Sequence, residues 1–480
     1  MHTNPHSEHD NTPLFVDLDG TLIKSDMLYE SFFSLLKLNP LYCLLIPFWL
    51  LRGKAHMKQM ISQRTTIEVS TLPYSEEFVS YLQSEAKNGR KIILATATNQ
   101  ILAKKIAEHL GFFSAVLASD INTNLSGTHK LEAIKSFTNN ETFDYAANGK
   151  IDIRVWKFAR KAILVNPDKG IQNSVKSLTA IDKVFIERKT GLLKYIKAIR
   201  AYQWMKNLLI FLPLFTAHQF TNIPLIFNAS IAFVAFSICA SGVYILNDLL
   251  DLPVDRVHPR KRLRPFASGD INLLHGMILS VLLPATGLTL AYFLSSEFFN
   301  ILLIYMLMTT AYSLKFKSYA IIDILLLAAL YTIRIFAGAI AINVALSFWL
   351  LTFSMFIFLS LALVKRSSEL IMLANNNHKK TSGRGYHVED LDLLKMMGVT
   401  SGFMSILVIA LYIDNPSISQ NYSHPQLLWL LCPVLLLWIS RIWLKTGRGE
   451  MHDDPLVFAI KDYGSLVVIL TCGVIVALSI

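Results

Sequence analysis

From Lys206 onward the sequence is a succession of apolar stretches, and no other feature limits the fold so strongly. Nine can be counted, at roughly 207–220, 225–246, 272–292, 297–313, 320–341, 346–364, 395–413, 427–444 and 464–480. Most reach the ~17–25 residues that carry a helix across ~30 Å of hydrocarbon. The first is the shortest and is interrupted by polar residues. Composition agrees: 53% of the 480 residues are hydrophobic and 16% charged, against about 25% charged in a soluble protein. A single long soluble enzyme is excluded. So is a disordered or collagen-like chain, since aromatic residues make up 11% and Gly and Pro are modest.

The connecting segments supply an independent reading. One set carries Lys194, Lys197, Arg200 and Lys206; Arg256, Arg260, Lys261, Arg262 and Arg264; Lys315 and Lys317; Lys365, Arg366, Lys379, Lys380 and Arg384; and Arg441, Lys445, Arg448 and Lys461. The intervening turns, around Thr221–Pro224, Ser295–Glu297, Asn343–Val344 and Asp414–Gln426, hold no Lys or Arg. This alternation predicts an all-α bundle of nine spans in the inner (plasma) membrane, N-terminus cytoplasmic and C-terminus outside. The net charge of +11 is thereby assigned to cytoplasmic loops rather than to a nucleic-acid partner. Residues 1–11 are polar, with no apolar core of a cleaved signal, so the first ~190 residues are expected to stay in the cytoplasm. The four cysteines are scattered through apolar runs and read as buried thiols.

At the cytoplasmic end of the second stretch stands Asn247-Asp248-Leu249-Leu250-Asp251-Leu252-Pro253-Val254-Asp255. On a helix its three aspartates fall within about a 60° arc, where they repel one another unless a cation lies between them. Hard oxygen donors at this density suit Mg²⁺ with phosphate oxygens completing its shell. Pro253 is expected to end or kink the helix near Leu252. The cationic run His258–Pro265, with Arg260, Lys261 and Arg264, follows directly; metal on one side and guanidinium groups on the other is what a diphosphate requires. Asp323 and Arg334 lie three turns apart on one helix, ~16 Å along its axis, and an arginine at that depth is a functional candidate by default. Together with Lys317, Lys365 and Arg366 they converge on a pocket facing the cytoplasm.

Asn247–Asp255 resembles the NDxxDxxxD signature of the UbiA superfamily of intramembrane prenyltransferases, over roughly residues 192–480. The resemblance implies that Asn247, Asp248, Asp251 and Asp255 hold a first Mg²⁺ and that Asp323 contributes to a second. Members that accept aromatic rings usually carry a further aspartate four residues on; here that position is Leu327. Arg200–Asn207, His258–Pro265, Tyr312–Lys317, Asp323 with Arg334, and Lys365–Glu369 instead resemble the branch that moves phosphoribose to polyprenyl phosphate. That likeness implies a phosphoribosyl diphosphate donor, a polyprenyl phosphate acceptor, and donor and acceptor contacts from Lys206, Arg260, Lys261, Arg264, Lys317, Arg334, Lys365 and Arg366.

The N-terminal region has a different grammar. A short apolar strand ends in Asp17-Leu18-Asp19-Gly20-Thr21; a second, Lys91–Ala95, ends in Thr96; Lys130 and Asp152 follow in order. Carboxylates at the C-terminal edge of a parallel sheet stand where open α/β folds bind ligands. The series resembles the HAD (haloacid dehalogenase-like) phosphohydrolases over ~12–170, a Rossmann-like α/β domain. It implies Asp17 as nucleophile, Asp19 as general acid and base, Thr96 for phosphate, Lys130 for charge balance, and Mg²⁺ on Asp17, Asp152 and Asn148. That family often has a second aspartate where Asn148 stands. Residues 41–51 are apolar without interruption, too short to span, and read either as the core of a cap or as a helix resting in the membrane interface. Residues 171–193 are expected to connect the hydrolase domain, 12–170, to the transferase domain, 194–480. The function this suggests is phosphoribosyl transfer to polyprenyl phosphate followed by dephosphorylation. A prenyl transfer to an aromatic ring, a transporter and a non-catalytic scaffold are the alternatives.

Overall fold

The computed structural model describes residues 11–187, 191–375, 384–415, 422–451 and 455–480; Lys379 and Lys380 lie outside them. The chain forms two compact units. The first runs to Ile199 and includes Tyr244–Ser280; the second holds Arg200–Val243 and Val281–Ile480.

In the first unit six strands, β1 Leu14–Val16, β2 Ile92–Asn99, β3 Ala115–Ser119, β4 Asp144–Ala147, β5 Lys161–Val165 and β6 Ala180–Phe185, pair in the order β3-β2-β1-β4-β5-β6. Every pairing is parallel. A parallel sheet is covered on both faces, so its inner strands are apolar throughout. Leu14, Val16, Leu94 and Ile163 pack into one core and Phe15, Ile93, Tyr145 and Leu164 into the other. Strand order reverses at β1, so side chains just beyond β1 and β4 share the crevice where such folds bind ligands. The expected connector begins later than its sequence suggests. Residues Ile171–Lys176 are helical and β6 closes the sheet edge, and an edge strand with four of six residues exposed carries too little apolar alternation to be recognised.

Between β1 and β2 lie α1 Met27–Leu38, a 3₁₀ turn Pro40–Leu45, α2 Ile46–Leu51 and α3 Lys54–Arg64. Asp26 caps α1 by accepting from the Leu28 N–H at 2.8 Å. Tyr42, Ile46 and Trp49 turn inward onto Leu35, Met57 and Ile61. The remaining apolar residues of this stretch stay outside, which removes the reading of 41–51 as simple cap core.

Tyr244–Ser280 begins as the end of the long Ile223–Leu250 helix. As Pro253 predicts, that helix stops. Asp251 becomes the N-cap of a short helix, Leu252–Val257, with the proline in its first turn, where its missing N–H costs nothing. Helix α1 is locked to this segment. Arg256 donates Nη2 to Glu30 Oε1 at 2.5 Å and Nη1 to Oε2 at 3.1 Å, with both side chains almost fully buried. Lys37 Nζ reaches Asp251 Oδ1 at 3.0 Å.

Seven helices among the described residues are long and apolar enough to cross a bilayer: Ile223–Leu250, Leu273–Leu294, Ser296–Leu314, Ile322–Ala341, Phe348–Asn375, Val388–Asp414 and Pro425–Gly447. The protein is an integral membrane protein. Two of the nine expected spans fall short. Residues 207–220 break into a 3₁₀ helix, Ala201–Phe211, and one α turn, Leu212–Thr216, while Tyr463–Ser479 has 17 residues, about 25 Å of helix. The 3₁₀ segment lies hard against Ile322–Ala341: a Cβ on Gly338 would sit 2.1 Å from the Ile210 carbonyl oxygen.

Removing one partner of a buried ion pair strands the other charge, at a cost of about 3–5 kcal/mol. Glu30→Ala is therefore expected to lower the melting temperature of the detergent-solubilised chain, and Glu30→Leu combined with Arg256→Met to recover most of the loss. Calorimetry or near-UV circular dichroism reads both.

Candidate functional site

Three groups of charged side chains stand out. The first sits at the carboxyl ends of β1, β2 and β4, around a cavity of about 760 Å³ lined by Asp17, Asp19, Lys58, Thr98, Lys130, Asn148 and Asp152 among others. The chain turns sharply after Asp19 because Gly20 adopts φ +74°, and a Cβ there would lie 2.4 Å from Asn148 Nδ2. Lys130 Nζ donates to Asp17 Oδ1 at 2.8 Å and to the Tyr145 hydroxyl at 2.9 Å. Tyr145 in turn donates to Asp152 Oδ1 at 2.7 Å. Asp19 accepts from the Met27 N–H and from the Thr98 hydroxyl, each at 2.8 Å. From α3, Lys58 donates to the Ala97 carbonyl and to Asn124 Oδ1.

Burial pushes Asp17 up to about 7 despite Lys130, with Asp152 and Asp19 adding repulsion. Burial and the neighbouring Asp26 push Asp19 to about 7 as well. Burial alone would lower the Lys130 ammonium, but Asp17 and Asp152 hold it above its ordinary value. More buried carboxylate than buried cation leaves negative charge to be balanced, and the donors are hard oxygens, so the cavity fits a divalent cation such as Mg²⁺. Among the described residues no three acidic, His or Cys side chains converge on one point, so phosphate and water oxygens would complete the shell.

One expected residue changes. Thr96 is fully buried and its hydroxyl accepts the Thr98 N–H at 3.0 Å; Thr98 is the threonine that faces the cavity. A register shift between Thr96 and Asn99 in the β2–β3 pairing re-aims the strand end. Thr98, Tyr145 and Lys58 were not singled out from sequence. The second threonine of Thr96-Ala97-Thr98 was the available signal.

The second group belongs to the same unit. Asp248 and Asp255, both buried, converge on Arg264 Nη1 at 3.1 and 2.5 Å. Asp251 departs from the expected trio and faces Lys37, because the helix break turns it out of line. The Asn247 carbonyl accepts the Asp251 N–H at 3.0 Å. Arg260 is exposed and Lys261 half-buried on the following loop. Two carboxylates closing on one cationic nitrogen mark a place for positive charge, and their chemistry fits Mg²⁺.

The third group is in the second unit. Asp323 is fully buried, accepts from the Tyr312 hydroxyl at 2.7 Å, and takes both Nε and Nη2 of Arg366. Arg366 also binds Glu369, which binds Arg384. Two guanidinium and two carboxylate groups thus balance, and the oxygens expected to hold a second metal are engaged by Arg366 and Tyr312. A carboxylate inside an apolar bundle must be matched by a cation, and the adjacent helix supplies one. Ile321, just before this aspartate, has φ +68° and donates its N–H to the Tyr386 hydroxyl at 3.0 Å; a β-branched residue at positive φ is held there by its surroundings. Lys317 and Lys365 are half-buried.

Arg334 is not joined to Asp323. It is buried, donates Nε to Asn207 Oδ1 at 2.9 Å and Nη2 to the Tyr305 hydroxyl at 3.2 Å, and lies over the rings of Phe236, Tyr305 and Tyr331. Lys206 Nζ stands 5.8 Å from the Tyr331 ring centroid. Asn207 is fixed by Ser237 and Trp204 by Ser241. Among the described residues Arg334 forms no ion pair with a carboxylate, so it leaves a positive charge inside the bundle.

A parallel-sheet α/β domain thus accompanies a charged bundle of membrane-length helices. Residues 208–459 match the UbiA prenyltransferase family, and residues 14–147 match the haloacid dehalogenase-like hydrolases. The chain belongs to the UbiA family and carries an N-terminal HAD-like domain. It is 34% identical to "Uncharacterized protein y4nM" of Sinorhizobium fredii over 94% of this chain and 87% of that one. Nodulation protein NoeC of Azorhizobium caulinodans is 35% identical over 59% of this chain and 92% of its own length. Decaprenyl-phosphate phosphoribosyltransferase of Mycolicibacterium smegmatis is 34% identical over 56% of this chain and 86% of its own.

The raised carboxylates have a measurable sign. Between about pH 4 and 7 the folded chain holds protons on Asp17 and Asp19 that the unfolded chain has lost, so these groups reduce stability as pH rises through that window. Mg²⁺ competes with those protons. The gain in melting temperature on adding Mg²⁺ is therefore expected to be larger at pH 7.5 than at pH 5.5, and the difference to shrink in Asp17→Asn, as read by differential scanning fluorimetry.

Proposed function

We propose that the membrane part transfers phosphoribose from phosphoribosyl diphosphate to a polyprenyl phosphate at the cytoplasmic face, and that the HAD-like domain then hydrolyses the phosphate ester on the transferred sugar, leaving the sugar on the lipid. The observation that carries the transfer reading is Arg334. A buried guanidinium without a carboxylate partner among the described residues, set among aromatic rings of which Tyr331 also meets Lys206, suits a phosphate far better than a neutral aromatic ring. The 34% identity to a decaprenyl-phosphate phosphoribosyltransferase over 86% of its length points the same way.

In this reading a phosphate oxygen of the acceptor attacks the anomeric carbon of the ribose, and the bond from that carbon to the diphosphate breaks. The acceptor is already anionic, so no general base is needed. Catalysis rests on positioning and on stabilising the leaving group. Arg334 and Lys206 would hold the acceptor phosphate, while Arg264, Arg260 and Lys261 would meet the diphosphate. Mg²⁺ on Asp248 and Asp255 would neutralise the departing charge. In the hydrolase cavity Asp17 would attack phosphorus and form an aspartyl phosphate; Asp19, protonated, would give its proton to the leaving alcohol and then take one from water. Lys130, locked by Tyr145, would keep Asp17 oriented, and Thr98 would orient Asp19.

The test uses the reconstituted full-length chain with Mg²⁺, decaprenyl phosphate and donor labelled in the ribose. Lipid-extractable label is expected. Arg334→Met should reduce it by about 100-fold or more, the scale of a lost transition-state contact. Asp17→Asn should leave transfer intact but hold the product in its sugar-phosphate form, as seen by mass spectrometry. No lipid-linked label, with turnover of a prenyl diphosphate instead, would replace this reading by aromatic prenylation.

A further inference from the structure

The first unit exposes an apolar surface that neither its fold nor its cavity requires. Leu41, Phe48 and Leu51 are 67%, 65% and 85% exposed, and Leu38 and Leu44 are similarly open. They occupy 14 successive residues, Leu38–Leu51, that contain no charged side chain and only Asn39 as a strongly polar one. The inner face of the same stretch is already satisfied by Leu35, Met57 and Ile61. An outward apolar patch of this kind on a soluble domain marks a docking surface.

Its position indicates what it meets. Lys37, at the end of α1, holds Asp251, and Asp251 follows directly on Leu250, the last residue of a membrane-length helix. Glu30, on the same helix, holds Arg256. The apolar stretch therefore starts beside the C-terminal end of a helix long and apolar enough to span. Arg52 follows it on the exposed surface, as in an interfacial segment against anionic headgroups. The inner side continues into the hydrolase cavity, where Leu50, Lys54, Met57 and Ile61 line the wall alongside Asp17 and Asp19.

We propose that Leu38–Leu51 is immersed in the headgroup–acyl boundary of the membrane, and that the hydrolase cavity draws its substrate from that boundary as a phosphorylated, lipid-linked headgroup whose chain stays in the bilayer. The choice of substrate rests on the phosphatase reading above; the immersion does not.

A nitroxide attached through Leu44→Cys, in a full-length chain with Cys43, Cys239, Cys432 and Cys472 changed to serine, reports depth in vesicles of phosphatidylcholine and phosphatidylglycerol. Collisions with oxygen are expected to exceed collisions with a water-soluble nickel complex, and the reverse at the exposed control position in Lys176→Cys. Nickel-dominated collisions at both positions would overturn the immersion. So would dipolar broadening that grows with protein density, which would make the patch an interface between copies. The triple variant Leu44→Gln, Phe48→Gln, Leu51→Gln is expected to hydrolyse vesicle-borne phosphoribosyl decaprenyl phosphate about tenfold more slowly, with unchanged turnover of water-soluble p-nitrophenyl phosphate. Equal rates on the lipid would overturn the delivery role. Failure of the unaltered chain to hydrolyse either compound would instead remove the phosphatase reading and leave the depth measurement to decide the docking.

Discussion

Carboxylates removed from water have to be answered by positive charge, and in this chain each answer fixes a piece of architecture. Asp323 is matched by Arg366 on the adjacent helix, and Glu369 and Arg384 extend the match into a linked set of opposite charges. Asp248 and Asp255 close on Arg264 and so fold the basic loop back over the helix end. Glu30 takes Arg256 and ties α1 to the short helix Leu252–Val257. Arg334 is the exception. Its charge is shared among aromatic faces and amide, hydroxyl and carbonyl oxygens, with no carboxylate partner among the described residues.

The hydrolase cavity follows the same rule with a different balance. Lys130 is held by Asp17, Tyr145 and Asp152 at once, and Lys58 faces Asp19 and Asp26, yet burial of the acids outweighs both ammonium groups. Both Asp17 and Asp19 are consequently raised to about 7. A carboxyl group that can change protonation near neutral pH suits proton transfer, and a residual negative charge suits a divalent cation.

Much of this was legible in the sequence. Two strands of the parallel sheet were marked by apolar runs ending in Asp17 and Thr96, and Pro253 marked the helix break. What was lost has identifiable causes. Thr98 lines the cavity and Thr96 does not, because the strand runs on to Asn99 with an irregularity after Thr96 that an apolar run ending at Ala95 does not announce. Strand β6 escaped because an exposed edge carries little apolar signal. Asp251 left the trio because ideal helical spacing was applied across a break. The engagement of Asp323 by Arg366 joins positions 43 residues apart, and no local pattern announces such a pair.

The ion pair between Glu30 and Arg256 closes over 226 residues of chain, with consequences for the order of assembly. At about 5–20 residues per second of synthesis, the cap waits roughly 10–45 s for its partner. Helix α1 can form within the nascent sheet domain, but its glutamate stays hydrated until the first long membrane helix and its trailing loop have emerged. Docking of α1 on the Leu252–Val257 helix thus cannot precede synthesis of Arg256, however early the strands around it pair.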